Sequence, residues 1–207
     1  MIFRLLFLFL IPVFSFAQGE RMSDSEAREF RIQAENKAKT IKTLSTGFVQ
    51  QKHMTFLSQP IETSGEMLFQ APDKLLWKYT KPYVYSIIFS DNKVHINNEG
   101  NKSTIDVGNN KTFEKINQLI VGSVSGDLFD DEAFTITLFK SKDFNTAVLV
   151  PKSSIKQYIS QLELYFSKTD HTVSEVKLIE PSGDYTYIRF QNKKTNINLD
   201  PNTFKNN

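Results

Sequence analysis

There is no cysteine among the 207 residues. That absence excludes disulfides, thiolate-ligated zinc, a thiol nucleophile and a lipid attached to an N-terminal cysteine. Glycine occurs only 8 times, and neither a phosphate-cradling loop nor a dinucleotide-binding glycine pattern is present. The three histidines, His53, His95 and His171, each stand alone on or beside a predicted strand. A metal site needs clustered ligands at fixed spacing, so all three read as surface histidines and no metal or cofactor is expected. Charge of one sign is missing too: 25 Lys and Arg face 23 Asp and Glu, a formal net charge of +2. No basic stripe stands out, so nucleic acid is not an expected partner.

Catalytic patterns are equally scarce. Gly122-Ser123-Val124-Ser125-Gly126 has valine where a nucleophile elbow needs serine. The acidic run Asp127, Asp130, Asp131, Glu132 lacks the alternating ligands and mid-loop glycine of a calcium loop. No nucleophile, base and orienting group share a pattern, so the chain reads as a binding protein and not an enzyme.

What is there begins with a leader. Arg4, the apolar run Leu5 to Phe16 and the small residues Ser15 and Ala17 have the layout of a secretory signal peptide over residues 1–17, cleaved near Ala17. The run is short for a bilayer span. Residues 18–207 suit one domain with its own core, expected outside the cytoplasm as a monomer.

Ser23-Asp24-Ser25-Glu26 forms a capping-box signature. Ala27, Phe30, Ala34, Ala38, Ile41 and Leu44 then recur at steps of three or four, predicting a helix with a narrow apolar stripe. From Gly47 the period changes to two, through 47–53, 62–70, 74–80, 85–90, 93–97 and 103–107, with turn residues between them. A second helical patch follows, with Phe113, Ile116, Leu119, Ile120 and Val124 on one face and Gly126 as a stop. Strands resume at 133–140, 145–150, 158–167, 173–179 and 185–191. Ten or eleven strands with two or three helices make a mainly β (α+β) domain, in which a strongly curved sheet closing toward a barrel limits exposed edges.

Several of these stretches resemble one family. Leu44-Ser45-Thr46-Gly47-Phe48-Val49-Gln50-Gln51-Lys52 is similar to the helix-to-strand motif with F-x-Q in the LolA family of lipoprotein carriers. Gly65-Glu66-Met67-Leu68-Phe69-Gln70-Ala71-Pro72-Asp73-Lys74-Leu75-Leu76-Trp77 resembles its G-x-L-x-x-x-x-P-x-x-x-x-W hairpin. Pro82, Ser90-Asp91-Asn92-Lys93, Leu149-Val150-Pro151-Lys152 and the tail Asn198 to Phe204 follow in the family's order. The resemblance runs from about Ile41 to Phe204. It implies an unclosed antiparallel β-barrel with helices covering its mouth and an apolar cavity between barrel and lid. It also implies a periplasmic carrier of lipoprotein acyl chains from an inner-membrane ABC-type release complex to an outer-membrane acceptor.

In such a fold Leu75, Trp77 and Tyr79 project from one strand face, with Leu68 expected from the neighbouring strand toward the same cavity. Phe48, Ile87 or Phe89, and Ile96 are further wall candidates, and Phe30, Ile41, Ile116 and Ile120 would form the lid's underside. The family's characterised type has an arginine before the hairpin proline that holds the lid closed by hydrogen bonds to lid carbonyls. Here the residue is Ala71, which has no side-chain donor, so that lock does not carry over. Two other readings stay open: a carrier of the same fold for a different lipid, such as an aryl-polyene or glycolipid intermediate, and an envelope interaction module with a packed interior.

Overall fold

A computed structural model describes residues 19–91, 93–106, 129–152 and 154–205. Strand β1 (Glu20–Arg21) leads into helix α1 (Asp24–Lys39). The helix starts where the sequence places it. The Ser23 backbone N–H donates to Glu26 Oε2 at 2.9 Å, while the Ser23 hydroxyl accepts from the Glu26 N–H, completing the capping box. The buried stripe is Phe30, Ala34 and Ala38.

The helix is shorter than its periodicity suggests. Thr40 closes it, and Leu44 already belongs to β2 (Thr43–His53). Ile41 and Leu44 continue the three-to-four spacing by coincidence, because the chain turns back toward the same core from an extended segment. β3 (Ile61–Gln70), β4 (Lys74–Lys81), β5 (Tyr85–Ser90), β6 (Lys93–Asn98) and β7 (Asn101–Asp106) form a meander. Asn98 pairs with Asn101 across Glu99 and Gly100. Both loop residues have positive φ, as a two-residue turn matching strand twist requires.

β8 (Phe134–Lys140), β9 (Phe144–Pro151), β10 (Gln161–Ser167), β11 (Val173–Ile179) and β12 (Tyr185–Thr195) form a second meander, with a 3-10 turn at Ser154–Gln157 before β10. All strands join one sheet in the order β1-β8-β9-β10-β11-β12-β2-β3-β4-β5-β6-β7. The last strand therefore pairs with the second, and among the described residues β1 and β7 stand at the two ends of the order. This is the expected unclosed antiparallel barrel, with twelve strands among the described residues where ten or eleven were expected; the addition is β1, too short to show a period. Among the described residues there is one α-helix and one 3-10 turn, fewer than the two or three helices expected. The patch from Phe113 to Gly126, including Ile116 and Ile120, lies outside the described residues.

Register shifts between Ser64 and Gly65, between Tyr165 and Phe166, and between Gln191 and Lys194 bend the ladders. Gly65 permits one bend. A Cβ there would overlap the Lys78 carbonyl and come 2.8 Å from the Phe48 ring. The glycine that opens the hairpin motif is thus a matter of clearance.

Two clusters fill the concave side. One joins Phe30 and Ala34 to Leu138, Ala147, Leu149, Leu164 and Phe166; the other joins Ile41, Leu44, Phe48, Met67, Phe69, Leu75 and Phe89. Phe190 packs against both.

Gly65→Ala should destabilise the protein by about 1–3 kcal/mol or more, since the obstructing atoms are backbone; a urea titration checks this. Glu26 has its pKa lowered from 4.5 to about 2 by its hydrogen bond from Lys140 and then by the Ser23 N–H. The carboxylate's contribution is complete above the unfolded pKa and fades as pH falls toward the folded one. Glu26→Gln should lower Tm at pH 6, with the difference from wild type shrinking between pH 4.5 and 2.

A candidate apolar ligand cavity

Antiparallel pairing sets which side chains share the concave wall. One row crosses the sheet from Phe190 through Phe48, Gly65 and Tyr79 to Tyr85. The next runs through Thr46, Met67, Trp77, Ile87 and Ile96, and a third through Leu44, Phe69, Leu75, Phe89 and Val94. The expected residues Phe48, Leu75, Trp77, Tyr79, Ile87, Phe89 and Ile96 therefore do meet on one face.

Leu68 does not. It pairs with Leu76, which pairs with Ile88, and all three lie on the opposite, convex face. Its expected place belongs to Met67, one residue away. A strand alternates faces, so reading the hairpin one position out of register exchanges the two sides.

The wall is aromatic. The Phe48 ring lies 4.3 Å from Trp77, tilted by 30°, and 5.4 Å from Tyr79, edge-on at 89°. Trp77 meets Phe190 at 6.2 Å and 76°. Phe48 is only 2% exposed, whereas Trp77, Tyr79, Ile87 and Ile96 are half-buried. The Trp77 indole N–H is buried and has no acceptor among the described residues. Burial raises the Tyr79 pKa, and its hydroxyl donates to Gln50 Oε1 at 3.2 Å.

Helix α1 covers part of this face. The Met22 N–H donates to the Leu138 carbonyl at 2.9 Å, and Lys140 Nζ lies 2.6 Å from Glu26. Arg31 grips Asp131 with two guanidinium nitrogens, one at 2.9 Å, and stacks over Phe129 at 5.2 Å. Past the helix, Asn196 donates to the Thr40 carbonyl and accepts from the Lys42 N–H. Ala71 contributes only its backbone N–H, to the Lys42 carbonyl at 2.8 Å. The fastening thus runs through other residues than the position where the family's type has arginine.

Phe30, expected over the Trp77 wall, instead sits over the β8–β11 half, edge-on to Phe166 at 5.1 Å and to Phe129 at 6.1 Å. The Ala34–Ala38 segment is where the helix leaves space. A cavity of about 110 Å³ lies beneath it, floored by Ile41, Leu44, Met67, Phe166 and Phe190, at the seam between the two core clusters. Of the expected residues, Ile41 borders it. The cavity itself was missed because Ala34 and Ala38 above it look like ordinary packing on an apolar stripe, although their small size is what leaves the gap.

His53 stacks on Tyr185 at 4.3 Å and His95 Nδ1 lies 2.9 Å from Thr104 Oγ1. His171 departs from a plain surface histidine, since it borders the cavity with a buried Nδ1 that has no partner among the described residues.

The profile of the outer membrane lipoprotein carrier protein LolA matches residues 39–207. The chain belongs to the LolA family. A protein of Methylococcus capsulatus named outer-membrane lipoprotein carrier protein is 28% identical over 213 residues, covering 98% of this chain and 92% of its own. One of the same name from Francisella philomiragia is 27% identical over 170 residues, covering 82% and 80%. The crystal structure of an uncharacterized conserved protein from Thermus thermophilus shares the fold, with a TM-score of 0.53 at 10% identity over 87% of this chain and 93% of that one. LolA family membership fits the concave wall and its helical cover. No helix among the described residues is long and apolar enough to cross a membrane.

Phe48→Ala removes the ring that Trp77 and Tyr79 pack on and should cost about 3–5 kcal/mol, measured by denaturant titration.

Proposed function

We propose that this LolA-family protein is a periplasmic carrier that shelters the acyl chains of lipoproteins and moves them from the inner to the outer membrane. Residues 1–17 direct export, and residues 18–207 act as a single monomeric carrier domain. Cargo comes from an inner-membrane ABC-type release complex and passes to an outer-membrane acceptor. The names of the two relatives support this reading.

The observation that carries it is the cavity of about 110 Å³ beneath α1, continuing a half-buried aromatic wall. A packed interaction module has no use for such a void. Burying acyl methylenes is favourable by roughly 0.8 kcal/mol each, so a chain crossing water needs a surface of this kind. Phe48, Leu75, Trp77, Tyr79, Ile87, Phe89 and Ile96 form the wall it meets, while Phe30 belongs to the cover and Ile41 to the floor of the cavity. The void is smaller than the roughly 150 Å³ that admits one benzene. A whole acyl chain therefore enters only as α1 moves outward, and the present conformation is the closed one.

Trp77 is the sole tryptophan, so its fluorescence reports on the wall directly. A brominated fatty acid should quench it saturably, and Trp77→Asp should remain folded by circular dichroism while losing at least 10-fold in uptake of a fluorescent lipid. Absence of quenching together with unfolding of the variant would assign Trp77 to ordinary core. Native mass spectrometry of protein from its own envelope fraction then identifies the cargo: a triacylated peptide supports lipoprotein carriage, another lipid replaces it.

A further inference from the structure

We infer that the mouth of the cavity between α1 and β12 receives the acidic headgroup of an amphiphile, whose negative charge faces Lys37 and Lys193 while its chain enters beneath Ala34 and Ala38. This rests on the part of the carrier reading that places an acyl chain in the cavity; the ester- and amide-linked chains of a triacylated peptide carry no acidic group, so an acidic headgroup points to another lipid as cargo.

The cavity is apolar at its floor and cationic at its rim. Lys37 from α1, Lys193 from β12, and Asp170, His171 and Thr172 from the β10–β11 connection all border it. Lys193 is drawn inward, with its side chain 20% exposed and Nζ 3.6 Å from Asp170. It donates to the Thr172 hydroxyl and, at 3.3 Å, to the Val173 carbonyl. Lys37, half-buried, has no carboxylate within ion-pair distance among the described residues. Two ammonium groups thus border the cavity with one carboxylate between the pair of them, and that carboxylate is engaged by Lys193.

The excess charge is felt locally. Burial pushes the Lys193 pKa down, Asp170 opposes that, and Lys37 adds to the depression. A cation drawn into a partly dry site is unfavourable unless an anion joins it. His171 adds a buried, unpartnered Nδ1 at the same rim. The loop carrying it is fixed, because the His171 N–H donates to the Ser167 carbonyl at 2.9 Å and Asp170 accepts from the Thr172 N–H at 3.1 Å. A rim of surplus positive charge above an apolar floor matches a molecule with a carboxylate or phosphate at one end of a hydrocarbon chain.

The test compares dodecanoate, 1-dodecanol and acetate by calorimetry at fixed ionic strength, in wild type, Lys37→Gln and Asp170→Asn. Dodecanoate should bind wild type at least 10-fold more tightly than dodecanol. Lys37→Gln should cut that preference several-fold, and Asp170→Asn should increase dodecanoate affinity, an opposite change that general loosening of the fold would not produce. Equal binding of dodecanoate and dodecanol by wild type overturns the headgroup site and leaves the carrier reading standing. Binding of neither overturns both. Acetate binding as tight as dodecanoate would make the rim an anion site independent of the cavity, which also overturns the proposal. Lys193→Gln serves as a further check; loss of its fold would not alter the Lys37 and Asp170 comparison.

Discussion

Among the described residues, one α-helix of 16 residues lies over the concave side of a sheet of twelve strands. The sheet turns apolar residues inward along nearly its whole width, from Leu138 on β8 to Val94 on β6. The buried stripe of this helix is Phe30, Ala34 and Ala38, with Ile41 just beyond it. The mismatch is physical: large side chains on one surface meet small ones on the other. Where Phe30 fills the gap the core is closed, and where alanines face Met67, Phe166 and Phe190 it is not.

A cavity of this kind makes the core less stable than close packing would allow, because the lining atoms lose dispersion contacts. The rest of the structure offsets this with a continuous ladder and with polar fastenings at both ends of α1. Those fastenings lie near the surface. Arg31 and Asp131 are a partly exposed pair, and pairs of that type contribute little to stability. What holds the helix in place is chiefly the burial of Phe30 and the alanines against the sheet.

Much of this was legible in the chain because local signals and tertiary demands agreed. The capping box marked the start of α1, and alternation placed β3, β4, β5 and β11 within a residue of their observed bounds. The end of α1 was not legible, since Ile41 and Leu44 keep helical spacing while lying beyond it. Leu68 failed for a sharper reason: β3 has apolar residues on both faces at Met67, Leu68 and Phe69, so the period alone does not say which face is inner. The partner strand decides, through the pairing of Met67 with Trp77. β1 has two residues and no pattern to read. The cavity was hidden because its cause is missing volume, which a hydropathy pattern does not record.

The joining of the two meanders at β2 and β12 has a temporal side. Leu44 pairs with Thr195 and His53 with Tyr185, so this seam brings together the beginning and the end of the domain. During synthesis the first meander exists without its second neighbour, and its β2 edge stays unpaired until nearly all of the chain is made. Pairing so distant in sequence is slow to find and leaves apolar edges exposed in the meantime. A growing chain of this design stays open throughout translation, and the barrel is complete only when its last strand arrives.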